Sequence, residues 1–170
     1  MKIAYKSISV IEETLSDYFK QDFCKNVSSN IGKDYKEIFN ISYDLLYDKN
    51  FIDINIRPAS VADAKERKSL LIESAEKTKL IEIDSSTRQF VIQKKYEDSD
   101  LASCIPLFQF IVRESKLYLF VHARSQNFYS NWLYDNQTYM LMMEEVLNNL
   151  NDEITAGDIF VTIASLHSYK

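Results

Sequence analysis

Cys104 offers the most reactive side chain in this sequence, and Arg124 follows it after two apolar segments. Residues 107–112 and 117–123 are rich in aromatic and β-branched residues and are separated by a polar turn, which predicts a hairpin. A hairpin would bring Cys104, just before its first strand, close to Arg124, just after its second. A guanidinium beside a thiol favours the thiolate, which is a nucleophile. The residues alone leave two alternatives, a structural cysteine and an ordinary strand-end ion pair.

Other side chains able to bind a ligand occur in the same half of the chain. They are Arg88, Gln109, Ser125, Asn127, Asp135, His167 and Tyr169. His167 and Tyr169 are two residues apart, so an extended segment would point both to one side. Five of them have an ordinary alternative: a surface charge for Arg88, a cap for Ser125, packing for His167 and Tyr169, and a turn acid for Asp135.

The order of these residues resembles the thymidylate synthase and pyrimidine hydroxymethylase superfamily. The matching motifs are Asp84 to Gln89, Cys104, Gln109-Phe110, Arg124-Ser125 with Asn127, Asp135, Tyr139, Gly157-Asp158 and His167-Ser168-Tyr169. The resemblance covers residues 84–169. The family's proton-handling glutamate, on an early Glu-Leu-x-Trp helix, has no clear counterpart, and Glu12 or Glu13 is the nearest guess. Departures include Ile105 after the cysteine, Gln89 for a second arginine, and Asn127 where an aspartate holds the folate ring.

The resemblance implies a role for each candidate. Cys104 would add to C6 of a pyrimidine, and Gln109 would order the thiol and its surroundings. Arg124 and Ser125 would bind the nucleotide phosphate, and Arg88 would reach the phosphate across a dimer interface. By the same resemblance, His167 and Tyr169 would hold the sugar hydroxyl, and Asn127 would lie on the folate side.

Asp135 is the most informative departure from the thymidylate synthases, which carry an asparagine here to read uracil. An ionised carboxyl only accepts hydrogen bonds, so it cannot copy that asparagine. It can accept from the amino group of cytosine, and the family's cytidylate hydroxymethylases carry aspartate at this place. The resemblance therefore implies a cytosine nucleotide, CMP or dCMP, hydroxymethylated at C5 with 5,10-methylenetetrahydrofolate. The alternative is a catalytically degenerate nucleotide-binding dimer that lacks the folate half of the site.

Composition limits the other function classes. The chain has 170 residues, which favours one domain over residues 1–170, and its net charge of −5 argues against broad nucleic-acid binding. Cys24 and Cys104 are its two cysteines, too few for a disulfide framework, which indicates a cytoplasmic protein. No signal peptide or membrane span is visible in the sequence, so we expect no membrane partner. No metal site is predicted.

Hydrophobic periodicity predicts the elements that must position these residues. Helices are predicted near residues 10–19, over 61–77 with Ser60 as the cap, and over 138–150. Residues 35–46 fit either a helix or a strand, and residues 26–33 read as a loop. Further strands are predicted over residues 51–56, 90–93 and 159–164. The family resemblance implies an α+β fold, a mixed or mostly antiparallel sheet with helices on one face, and two such sheets stacked back to back in a homodimer.

Overall fold

The computed structural model describes residues 1–21, 24–28, 34–53, 55–95 and 102–169. The strands are β1 (Lys2–Lys6), β2 (Lys25–Ser28), β3 (Asp34–Leu45), β4 (Val91–Lys95), β5 (Ala102–Arg113), β6 (Lys116–Asn127) and β7 (Thr155–Tyr169). The helices are α1 (Ile8–Lys20), α2 (Val61–Lys77), α3 (Lys79–Ile83) and α4 (Leu133–Asn148). A 3₁₀ turn spans Lys49–Phe51, and a π-helical turn, Phe128–Trp132, leads into α4.

The described strands form one mixed sheet in the order β1-β3-β7-β6-β5-β4, and β2 pairs with β3 beyond the end of β1. The pairs β3–β7, β5–β6 and β4–β5 are antiparallel, whereas β1–β3 and β6–β7 are parallel. The α+β class with a mixed sheet is confirmed. No helix in the part of the chain described here combines the length and apolar character needed to cross a membrane.

The predicted hairpin is confirmed as β5 and β6, joined by a turn at Glu114 and Ser115. Both turn residues have positive φ, 51° and 56°, which matches the twist of a two-residue hairpin turn. The strands are longer than the apolar pattern suggested. Cys104 therefore lies within β5, and Arg124 lies within β6, not at the strand ends.

The helices pack on one face of the sheet, which we call the covered face. Ile11 and Leu15 of α1 and Met143 of α4 are fully buried there. The phenol of Tyr43 on β3 donates to Oδ1 of Asn136 on α4 at 2.9 Å. The predicted boundaries of α2 are confirmed, and the hydroxyl of Ser60 caps the helix by accepting from the backbone N–H of Asp63.

Three neighbouring strands shift their alternation by one residue at the same height, so the set of side chains facing the helices changes there. On β6 the buried residues switch from odd numbers, ending at Ala123, to even numbers, beginning at Gln126; β7 makes the same switch between Ile163 and Leu166. β3 follows them, with Ile41 buried and Ile38 packed against the core. The pairing registers skip Asn40, Ala164 and Arg124, which we call the crossing row. Asn40 has φ of 52°, the irregular backbone expected where a strand bulges.

Two sequence predictions are wrong in the described residues. The described residues of this predicted strand, 51–53 and 55–56, are not a strand, because side chains satisfy their backbone. Gln137 accepts from Asp53 N and donates to Phe51 O, and Asp53 accepts from Asn55 N. The predicted loop over residues 26–33 begins as strand β2, paired to β3. The rest of that loop, residues 29–33, lies outside the described residues.

Candidate functional site

A cavity of about 140 Å³ opens on the covered face between α2, β5 and α4. We call it the covered cavity. It is lined by Asp63, Glu66, Arg67, Leu70, Cys104, Ile105, Phe108, Asn131, Tyr134, Asp135, Thr138 and Tyr139. A cavity of about 150 Å³ is known to hold one benzene molecule, so the covered cavity suits a single ring.

Cys104 and Asp135 meet at the covered cavity from different elements. Cys104 lies near the start of β5 and is exposed, while Asp135 lies in the first turn of α4. The other cysteine, Cys24, is buried, and its thiol donates to the backbone oxygen of Tyr18 at 2.9 Å. The structure therefore leaves Cys104 accessible to a ligand and keeps Cys24 within the core.

The carboxyl group of Asp135 is held in an environment that favours its neutral form. Burial raises the pKa of Asp135 to about 8, although a hydrogen bond from Gln126 acts in the opposite direction. Nε2 of Gln126 donates to Oδ2 of Asp135 at 3.0 Å and to the phenol oxygen of Tyr139 at 2.7 Å. At neutral pH the acid is therefore mostly protonated, and it can donate a hydrogen bond as well as accept one.

Arg67 of α2 is the cation that lines the covered cavity. Its guanidinium carbon lies 3.5 Å from the centre of the Tyr134 ring, a close cation–π contact. Its Nε donates to the hydroxyl of Thr138 at 2.9 Å, and its Nη2 donates to the backbone oxygen of Tyr134 at 3.0 Å. These contacts fix the guanidinium in place beside Asp135, and burial lowers the pKa of Arg67.

The predicted phosphate and sugar ligands lie on the other side of the sheet, which we call the uncovered face. Arg124 lines a broad depression there with His122 and Thr162. The hydroxyl of Ser125 lies 3.3 Å from Nδ1 of His167, whose pKa is lowered by burial. Tyr169 packs edge-on against the His167 ring at 5.3 Å between ring centres. The structure thus brings Ser125, His167 and Tyr169 together, and it gives Arg124 a different cavity from Cys104.

The three remaining predicted ligands have structural contacts of their own. The side-chain amide of Gln109 donates to the backbone oxygen of Arg88 at 2.9 Å. Arg88 lines a second depression of the uncovered face with Arg113 and Phe120. Oδ1 of Asn127 accepts from the backbone nitrogens of Tyr129 and Ser130, so this side chain caps the π-helical turn.

Sequence reasoning missed three side chains of this site. Arg67 and Glu66 lie in the charged run of α2, which resembles any solvated helix, and only the packing of α2 on α4 brings them to Cys104. Gln126 follows Ser125 in a strand, and regular alternation would have directed it away from Asp135. Glu12 and Glu13, the guesses for a proton-handling acid, are exposed on α1 and do not line the covered cavity.

Comparison with known proteins gives no family assignment. No protein-family model matches the chain, and the curated proteins searched give no significant match. Among the described residues, no three His, Cys, Asp or Glu side chains are grouped so that they could hold a metal ion. The function therefore has to be argued from the site itself.

Proposed function

We propose that the protein binds a pyrimidine nucleotide with its ring in the covered cavity and that Cys104 adds to that ring. The observation that carries the proposal is that an exposed thiol and a mostly neutral carboxyl line one ring-sized cavity. The thiol supplies the nucleophile, and the carboxyl supplies the group that recognises the base. These are the functions the sequence resemblance implies for Cys104 and Asp135.

Cytosine suits the carboxyl of Asp135 in both of its protonation states. A protonated acid offers a donor to ring N3 and an acceptor to the exocyclic amino group. After ionisation the carboxylate can still accept from the amino group. Uracil also pairs with the neutral acid, because its O4 accepts the acid's proton and its N3–H donates to the other oxygen. The choice of a cytosine nucleotide, CMP or dCMP, rests on the resemblance, which associates aspartate at this place with cytidylate.

The proposed chemical step begins with the thiolate of Cys104. Its sulfur bonds to C6 of the pyrimidine, and the electron pair of the C5–C6 double bond moves to C5. C5 then takes a proton or another electrophile, and loss of the original C5 hydrogen with expulsion of the thiolate restores the ring. Glu66 lines the same cavity, so it replaces Glu12 and Glu13 as the proposed proton-handling acid.

The proposed overall reaction is hydroxymethylation of cytosine at C5, for which methylenetetrahydrofolate would supply the one-carbon unit. The described residues do not fit this cofactor. Asn127, the residue expected on the folate side, uses its side-chain oxygen to cap the π-helical turn. The covered cavity is also too small for a second ring system beside the base. We therefore derive no step through folate.

The second part of the proposal is a homodimer formed through the uncovered face. This face carries stacked rings, with Phe120 and Phe160 centred 4.9 Å apart and Tyr118 centred 6.0 Å from Phe160. Phe39 is 45% exposed on the same face. Aromatic surface of this kind is enriched in interfaces. Arg88 lies beside these rings, so it would lie at the interface between the two copies.

A second candidate function is a nucleotide-binding dimer without one-carbon chemistry. It is favoured by the separation of Arg124, Ser125 and His167 from the cavity that holds Cys104. A protein that only binds the nucleotide would not need the phosphate contacts to align the base with the thiol. The candidates share Asp135 and differ in whether Cys104 forms a bond.

Release of tritium from C5-labelled cytidylate tests the proposal. Addition of Cys104 to C6 labilises the C5 hydrogen, so the wild-type chain should release tritium to water, and Cys104→Ala should release none. Cys24→Ala is the matched control, because Cys24 is the buried cysteine away from the cavity. Release that persists in Cys104→Ala would overturn the assignment of the nucleophile.

Calorimetric titration with CMP, dCMP, UMP and dUMP separates the two candidates. Binding of cytosine nucleotides without tritium release, with and without methylenetetrahydrofolate, would favour the binding dimer. Absence of binding to all four nucleotides would overturn both. The same titrations with Asp135→Asn test base reading, since the variant should lose preference for cytosine over uracil.

A further inference from the structure

Gln126 is a buried amide whose hydrogen bonds are unevenly divided between its two ends. The residue is 3% exposed, and both hydrogens of Nε2 have acceptors, Oδ2 of Asp135 and the phenol oxygen of Tyr139. Its Oε1 is buried and has no hydrogen-bond partner among the described residues. The resemblance assigned no role to this residue.

The opposite orientation of the amide would be less favourable. It would direct Oε1 toward Asp135 and Tyr139 and leave both N–H groups of Nε2 without acceptors. Buried donors without a partner are rarer in proteins than buried carbonyl oxygens without one. The observed orientation therefore leaves only Oε1 without a hydrogen bond to the described residues, and a buried carbonyl oxygen without a partner costs less than a buried N–H without one.

This orientation determines which oxygen of Asp135 can carry the acid's proton. Oδ2 accepts an N–H from Gln126, and an oxygen in that position cannot also direct its own proton at the same nitrogen. The proton therefore belongs on Oδ1, the oxygen that does not accept from Gln126, and Asp135 lines the covered cavity. We propose that Gln126 is a positioning residue that holds Oδ2 as an acceptor and directs the proton of Asp135 into the cavity.

Other titratable and charged groups surround this carboxyl. They are Asp63, Glu66 and Arg67 on α2, Cys104 on β5, Tyr134 and Tyr139 on α4, and Tyr43 on β3. The acids of α2 favour the neutral form of Asp135, whereas Arg67 favours the ionised form. Gln126 acts differently from the charges of α2, because it donates a hydrogen bond to one oxygen of the carboxyl, Oδ2.

The inference deepens the proposed function and rests on it where it concerns the ligand. With its proton on Oδ1, Asp135 donates to cytosine N3 or to uracil O4. Ionisation removes that donor, and then cytosine keeps the hydrogen bond from its amino group and uracil keeps the one from its N3–H. The affinity for either base should therefore fall as the pH rises through about 8.

The sign of one pKa change tests the position of the proton without any ligand. In the observed orientation Gln126 stabilises the ionised acid, so Gln126→Met should raise the pKa of Asp135. In the opposite orientation Gln126 would accept the acid's proton and stabilise the neutral form, so the same change would lower the pKa. The measurement is a ¹³C NMR titration of the aspartate carboxyls in the full chain, with Asp135→Asn to assign the signal.

Gln137→Met is the matched control. Gln137 is also a buried amide, 2% exposed, but it bonds to the backbone of Phe51 and Asp53. Its replacement should weaken the fold and leave the titration of Asp135 unchanged. Gln126→Asn serves as a second variant that keeps a buried amide but shortens its reach, and it should raise the pKa in the same direction.

The outcomes separate the inference from the proposed function. A lowered or unchanged pKa in both Gln126 variants would overturn the inference. For the ligand, the affinity for UMP and the affinity for CMP should each fall about tenfold between pH about 6 and pH about 9, the size of one lost hydrogen bond. If neither nucleotide binds while the pKa rises as expected, the proposed function fails and the role of Gln126 stands.

Discussion

The covered cavity is narrow and contains an acid that burial keeps mostly neutral, whereas the uncovered face of the same sheet is broad and carries aromatic rings and cations. Asp135 and Cys104 belong to the first region, and Arg124 and His167 belong to the second. The first region can bind a ring and react with it. The second offers contacts for an anion or for another copy of the chain.

The boundary between these regions is the crossing row. Gln126 reaches the covered face because β6 changes phase just before it, and β7 changes phase at the same height. A one-residue change of phase moves every later side chain to the other face of a strand. Neighbouring residues of a motif can therefore serve different surfaces, as Ser125 and Gln126 do here.

The largest expected effect contrasts one phenylalanine on each face. Phe110 is fully buried, with its ring centred 4.6 Å from that of Phe90, so Phe110→Ala should cost about 3–5 kcal/mol of unfolding free energy. Phe120 is partly exposed on the uncovered face, so Phe120→Ala should cost about 1 kcal/mol in dilute protein. Denaturant unfolding at low and high protein concentration provides the measurement.

The concentration series also tests the proposed homodimer. If a second copy covers the rings, the loss caused by Phe120→Ala should increase with protein concentration, while the loss caused by Phe110→Ala should not. If Phe110→Ala and Phe120→Ala lower the unfolding free energy equally at every concentration, the predicted contrast between the faces is wrong. If the wild-type chain sediments as a monomer at every concentration, the proposed homodimer is wrong.

The next effect contrasts two acids whose pKa values are shifted in opposite directions. The raised pKa of Asp135 means that the folded chain binds a proton that the unfolded chain has lost, so stability should fall between pH about 4 and pH about 8. Asp135→Asn should remove this fall and raise the unfolding free energy by roughly 3 kcal/mol at pH about 6. The two chains should converge near pH 4.

Asp84 provides the opposite case on an exposed turn. Hydrogen bonds from the hydroxyl and backbone N–H of Ser86 lower the pKa of Asp84. Its contribution to stability is present above the unfolded pKa and is lost as the pH falls through the folded one. Asp84→Asn should therefore lose stability at neutral pH and not in acid. For Asp135, the contradicting outcome is a fall of stability between pH about 4 and pH about 8 that is as large in Asp135→Asn as in the wild-type chain. That outcome would show that another group causes the fall.

A smaller effect compares the cations of the two faces as partners for the anionic part of the proposed ligand. Arg67→Met should weaken CMP binding about tenfold, because Arg67 lines the cavity that contains Cys104. Arg124→Met should weaken it less if the ligand stays on the covered side. Titration calorimetry measures both variants. A larger loss in Arg124→Met would instead support the phosphate role that the sequence predicts for Arg124.

The smallest effect concerns the backbone at the crossing row. Asn40 has positive φ, a conformation that asparagine tolerates and β-branched residues avoid. Asn40→Val should cost about 1–2 kcal/mol of unfolding free energy, whereas Asn40→Gly should be close to neutral. A neutral Asn40→Val in denaturant unfolding would mean that the row is not strained.

The sequence predicted the elements whose periodicity is strong, including α2 with its Ser60 cap and the hairpin of β5 and β6. It predicted a strand at residues 51–56 because isoleucines alternate there, but Gln137, distant in sequence, occupies the backbone groups that a neighbouring strand would need. Period-two patterns report which side chains alternate. They do not report whether a partner strand is available.

For the site, the family resemblance selected Cys104 and Asp135, which line the same cavity. It also grouped Arg124 with them, but Arg124 lines a different cavity, because hairpin pairing fixes distance along the sheet and not the face on which a side chain lies. Arg67 and Gln126 could not be found from sequence for the same reason. Their roles depend on helix packing and on a phase change that leaves no compositional signal.

The position of β7 has a consequence for how the chain folds. β7 comes last among the described strands, yet it lies between β3 and β6, and its pairing with β3 joins Tyr35 to Tyr169 and Leu45 to Ile159. Contacts so distant along the chain form slowly, because a long loop must close before they gain any energy. Until β7 inserts, β3 and β6 each have an unpaired strand edge. The partly folded protein can therefore aggregate through the two strands that β7 later joins.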